Sequence, residues 1–246
     1  MVLDARQPMD MREVIARLVD GSAWPDFKPG YGSATVCGHG RIEGHVVGLV
    51  SNNGPLDTAG ADKATQFIQL CHQSGTPLVY LQNTTGFRVG RASEEAGMIK
   101  HGCKMIQALS NTRVPQVSVM RCASFGAGNY GMCGRAFGPR FVFAWPNART
   151  AVMGGEQAAM TMDIVERGQA ARRGLAVGEE RLAAQEAEIV HNFDVQSGAF
   201  ITSGRLLDDG VIDPRDTRAV LAFVPATCRE GDARALRPVQ YVVARP

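Results

Sequence analysis

Apolar, β-like runs alternate with amphipathic helical stretches along most of this chain. That order restricts it to an α/β fold in which polar loops gather at strand ends. Residues 12–20 place Val14, Ile15, Leu18 and Val19 on one side of a short helix closed by Gly21. Thr35-Val36-Cys37 and residues 41–50 follow, and the Glu43-Gly44 step predicts a hairpin. A helix is expected over residues 60–73, with Ala64, Phe67, Ile68 and Cys71 on one face, Gly75 past its end and Pro77 as a stop. Residues 78–81 then read as a strand, 82–90 as a polar loop, and 94–110 as a helix burying Met98, Gly102, Met105, Ile106 and Leu109. Residues 116–120, 141–145 and 150–153 are further strands, and a helix begins near Gly155. Residues 179–195 and 216–223 are the last helical stretches.

No composition shift marks a linker. We therefore expect one domain over residues 1–246, with a core of about 8–175 and a helical C-terminal extension of about 176–246. At 246 residues and 45% hydrophobic, the chain can bury a sizeable core. Its 26 Lys and Arg against 24 Asp and Glu provide no strong field for nucleic acid or membrane. The six cysteines form no C-x-x-C pair, and Cys71 and Cys103 fall on apolar helix faces, as expected of reduced structural thiols. The N-terminal residues lack the apolar core of a signal peptide, and no apolar run approaches the ~20 residues of a membrane span. A cytoplasmic location is the expectation.

The stretch from Ser124 to Gly134, SFGAGNYGMCG, contains a literal G-x-G-x-x-G between a strand and a short helix. Backbone N–H groups at such a turn lack intrahelical partners and lie at the positive end of a helix dipole, so an anion suits them. A dinucleotide site would need an acid about 20 residues on. The next strand instead leads into Pro146-Asn147-Ala148-Arg149-Thr150. A hydrolase elbow at Ser124-Phe125-Gly126 lacks its first glycine, replaced by Cys122, and no histidine follows before His191. A turn that merely lets helix pack on strand stays open. Two more loops favour an oxyanion. Gln82-Asn83-Thr84-Thr85-Gly86-Phe87 ends a strand, and Met153-Gly154-Gly155-Glu156-Gln157 is a further strand-to-helix turn.

The histidines point less clearly to chemistry. His39, Glu43 and His45 could share one side of the hairpin, but no third His or Cys accompanies them, and no metal site is expected. His101, between Lys100 and Lys104, reads as part of a solvated helix face.

The segments MREVIARLVDGSAWPDFKPGYG, RIEGHVVGLVSNNG, PLVYLQNTTGF, IKHGCKMIQALSN, SFGAGNYGMCGRAF, PRFVFAWPNARTAVMGGEQAA and DDGVIDPRDTR resemble the carboxyltransferase (beta) subunit of biotin-dependent acyl-CoA carboxylases, in the methylcrotonyl-CoA and geranyl-CoA carboxylase branch. The resemblance covers about residues 8–221 and only the C-terminal, biotin-side half of that subunit. It implies a crotonase-like (ClpP/crotonase) spiral of ββα units, agreeing with the order above.

It further implies carboxyl transfer from carboxybiotin, held on a partner carrier protein, to an acyl-CoA. The backbone N–H groups of Gly126 and Ala127 would stabilise the biotin ureido oxygen. Thr85, Gly86, Phe87, Phe125, Gly128, Asn129, Tyr130, Gly154 and Gly155 would line the biotin side, and Arg121 is a candidate ligand contact or a solvated residue. The expected partners are a carboxyltransferase N-domain protein and a biotin carboxylase or biotin carrier subunit, in a homo- or hetero-oligomer. The alternatives are a biotin-independent crotonase-like decarboxylase, hydratase or hydrolase acting on an acyl thioester, and a non-catalytic assembly subunit. Two departures stand out: Arg121-Cys122-Ala123, where small residues are usual, and Pro55-Leu56-Asp57-Thr58, in place of a Phe-Ser-Glu-like run.

Overall fold

The computed structural model describes residues 9–174 and 178–235. Helix α1 (Met11–Leu18) leads into a hairpin of β1 (Thr35–Ile42) and β2 (His45–Asn52). Glu43 and Gly44 both have positive φ, 48° and 80°, as a two-residue turn matched to strand twist requires. Helix α2 (Thr58–Ser74) starts where the Asp57 carboxylate accepts from the Gly60 N–H at 2.7 Å. It stops at Gly75, whose φ of 66° releases the chain in the left-handed conformation. Strand β3 (Leu78–Thr84) follows.

The single helix expected over 94–110 is two: α3 (Arg91–Glu95) and α4 (Met98–Asn111). Gly97, at φ 81°, breaks them, because a left-handed residue cannot continue the hydrogen-bond ladder. Strand β4 (Gln116–Phe125) runs five residues beyond the expected end and passes into α5 (Gly126–Gly131). Next come β5 (Phe141–Ala144), β6 (Arg149–Ala151), α6 (Gly155–Arg173), α7 (Glu179–Ser197), α8 (Ala199–Gly204), which the sequence pattern did not suggest, and α9 (Thr217–Ala233).

The strands form one sheet in the order β1-β2-β3-β4-β5, with β6 also paired to β4. The hairpin is antiparallel and the other pairings are parallel. Alternation along β3 and β4 divides the core: Val79, Leu81, Val117 and Val119 pack with α1 and α9, while Leu78 and Tyr80 pack with α2 and α4. Helix α9 thus joins the central core through Leu221, Ala222, Val224 and Cys228. Among the described residues, no helix is long and apolar enough to cross a membrane.

Candidate active site

Strand β4 is long enough to pair twice. Val117–Met120 bond to β5, and Ala123–Phe125 bond to β6. Between the carboxyl ends of β4 and β6, the loop after β3, the start of α6 and the side of α7 lies a cleft of about 640 Å³. Parallel α/β sheets place ligand sites at this end of their strands. Ala123 and Phe125 come from β4, Thr85 from the β3 loop, and Met153, Gly154, Gly155 and Glu156 from the turn into α6. Val190, Phe193 and Asp194 of α7 close the far side. Arg149 pairs with Asp194 at 2.6 Å across the mouth.

Of the residues expected at the site, Thr85, Phe125, Gly154 and Gly155 therefore meet in one cleft. Gly126, at φ 53°, directly follows Phe125, and a Cβ there would stand 2.9 Å from the Val152 carbonyl oxygen. It is half-buried and Ala127 is exposed, both at the start of α5, and neither is among the residues that line the cleft. Gly86 and Gly128 meet back to back: a Cβ on Gly128 would come within 2.7 Å of the Gly86 Cα. Phe87 turns under this contact, its ring against Gly131 of α5 and Gly102 of α4. The Asn129 amide points inward, donating to the Ser124 hydroxyl at 2.7 Å. Tyr130 is exposed and stands edge-on to Phe137.

Arg121, expected as a ligand contact or a solvated cation, is not solvated. It is 2% exposed and donates to the Met9 sulfur at 3.0 Å, on the α1 side of the sheet. The other departure is also structural, since Leu56 is in the core and Asp57 caps α2. His39 and His45 diverge. The His39 ring packs on Phe67, while His45 Nδ1 accepts from Arg229 of α9 at 2.7 Å. His101 is not merely solvated, for it contacts Asp62 of α2 at 2.7 Å.

The α7 wall escaped sequence reasoning because its residues lie beyond the last expected loop. The one trace is Gly155, where a Cβ would press within 3.1 Å of Val190 and Phe193.

Residues 2–231 match the family model for the carboxyl transferase domain. The chain belongs to the carboxyl transferase domain family. Its likeness to relatives agrees. It is 51% identical, over 93% of its length, to a probable biotin-dependent acyl-coenzyme A carboxylase beta2 subunit of Mycobacterium tuberculosis, of which it covers 43%. It is 49% identical, over 87% of its length, to a probable methylcrotonoyl-CoA carboxylase beta chain of Drosophila melanogaster, covering 37% of that protein. The crystal structure of the P. aeruginosa geranyl-CoA carboxylase beta subunit superposes with a TM-score of 0.91 at 50% identity, covering 98% of this chain and 46% of that one. The crotonase-like fold of this carboxyl transferase domain is therefore shared with its relatives, and the chain spans less than half their length.

Proposed function

We propose that this carboxyl transferase domain is the biotin-side half of an acyl-CoA carboxylase carboxyltransferase, working with a biotin-bearing carrier and a separate N-domain protein that holds the acyl-CoA. The observation carrying this reading is the match to biotin-dependent beta subunits across β4, the Gly-rich turn and the start of α6. The cleft residues fit a biotin bicycle. Phe125, Val190 and Phe193 offer an apolar wall, and a Cβ on Gly154 would fill space 3.8 Å from the Phe125 ring. When bound, biotin would supply the activated carboxyl group and, once it leaves, a ureido oxygen bearing negative charge.

This chain's part is to hold that oxygen. The Gly126 and Ala127 N–H groups are the donors, placed at a helix start where the backbone dipoles favour negative charge. The nineteen-residue α6 directs its own N-terminus at the same cleft through Gly154 and Gly155. Donors fixed before the reaction need no reorganisation as charge develops. The domain acts in an oligomer, as does the hexameric transcarboxylase 12S, to which it is 32% identical.

The test is label exchange between a carboxylated biotin carrier and an acyl-CoA, with this chain and an N-domain protein present singly and together. Exchange is expected only in the full mixture, and avidin should stop it. Gly126→Pro, which removes one donor, should abolish it, since one such donor is worth roughly 3–4 kcal/mol. Turnover of an acyl thioester by this chain alone, unaffected by avidin, would overturn the reading.

A further inference from the structure

We infer that Gln82, Ser124 and Asn129 are positioning residues, a buried clamp that fixes the backbone donors of Gly126 and Ala127; this rests on the biotin-side reading above. Gln82 on β3 and Ser124 on β4 are fully buried. The Ser124 hydroxyl donates to Gln82 Oε1, and Asn129 Nδ2 donates to Ser124 Oγ at 2.7 Å and to Gln82 Oε1 at 3.4 Å. Gln82 Nε2 donates to the Met132 carbonyl at 2.7 Å. One side chain on β3 thus grips the chain just before the turn, within α5, and just after it.

None of the three lines the cleft itself. Their donors go to one another and to backbone. Removing one leaves others buried without partners, so the network should fail as a unit. The backbone it releases is the short stretch from Ser124 to Asn129, which contains both donors. A donor displaced by ~1 Å loses much of its effect on a developing charge.

The test uses the full chain and two variants, Ser124→Ala and Asn129→Ala, with Ser124→Thr restoring the hydroxyl. Amide hydrogen exchange across residues 124–134 is read together with thermal melting. Biocytin carrying carbon-13 in the ureido carbonyl is added, and its infrared band recorded. Wild type should shift that band to lower frequency. Each alanine variant should speed exchange at Met132, Cys133 and Gly134, whose amides bond back to the Gly128, Tyr130 and Asn129 carbonyls, by about tenfold, leave exchange in β1 and β2 near wild type, and return the band towards its free position. Ser124→Thr should reverse both changes. Unchanged exchange in both alanine variants would overturn the clamp. A band unshifted by wild type overturns the biotin-side reading, and the positioning role with it. Should Ser124→Ala fail to fold, Asn129→Ala, at the half-buried edge of the network, still decides the matter.

Discussion

At the scale of single residues, close backbone approach shapes the region around the cleft. Gly128 and Gly86 pack so tightly that a side chain on the former would strike backbone, which cannot move aside cheaply. Gly128→Ala should lower stability by about 1–3 kcal/mol, read as a fall in thermal midpoint; an unchanged midpoint would show that the turn has slack. The cysteines follow burial. Desolvation pushes the thiols of Cys71 and Cys133 up to about 12, and those of Cys37 and Cys228 also upward. Cys122 is buried as well, whereas Cys103, expected on a buried face, is exposed. A thiol reagent at neutral pH should therefore modify one cysteine in the folded chain and all six after unfolding. Fast reaction of a second thiol before unfolding would contradict this burial pattern. Helix periodicity identified Met98, Gly102, Met105 and Leu109 correctly as buried. Cys103 follows Gly102 directly, 100° further round the helix, and that rotation carries it to the outside.

Among the elements, α2 and α4 are tied at their outer edges by Asp62, which contacts His101 at 2.7 Å and Lys104 at 3.4 Å. Burial raises the Asp62 pKa, but hydrogen bonds and charge from His101 and Lys104 outweigh it and leave the carboxyl below its usual range. Between the folded and unfolded values the unfolded chain binds more protons, so stability rises with pH there. The contribution is complete above the ordinary aspartate value of ~3.9 and is lost as pH falls through the folded one. Asp62→Asn should lower the urea midpoint at pH 7, and its difference from wild type should shrink towards pH 2. A constant difference across that range would remove the ion pair as its cause. The helix–strand order was legible because each period repeats over a long window. The break at Gly97 was not, since an isolated glycine is also tolerated within helices. The far half of β4 was missed because Arg121, Ser124 and their neighbours lack strand-like apolar character; pairing to β3 and β6 supplies the missing preference.

For the whole molecule, the decisive contacts are those that bring the end of the chain back to its middle. Helix α9 covers β1 and β4, and the Trp145 indole N–H donates to Thr217 at 2.8 Å. Leu221→Ala, at a fully buried position, should cost about 2–5 kcal/mol. The loss should appear as one cooperative unfolding transition at lower denaturant, monitored by far-ultraviolet circular dichroism. Early fraying of α9 alone, with the sheet unaffected, would mean that this helix is an appendage. The sequence by itself determined the alternation of strands and helices, the hairpin turn, the stop at Gly75, and the glycines at the strand ends. All of these are local, set by residue spacing and backbone conformation. Only the tertiary structure decided that α7 forms a wall of the cleft, that Asn129 faces inward and that Arg121 is buried. Those outcomes depend on contacts between residues far apart in the chain, and no local period encodes which distant surface a side chain will meet.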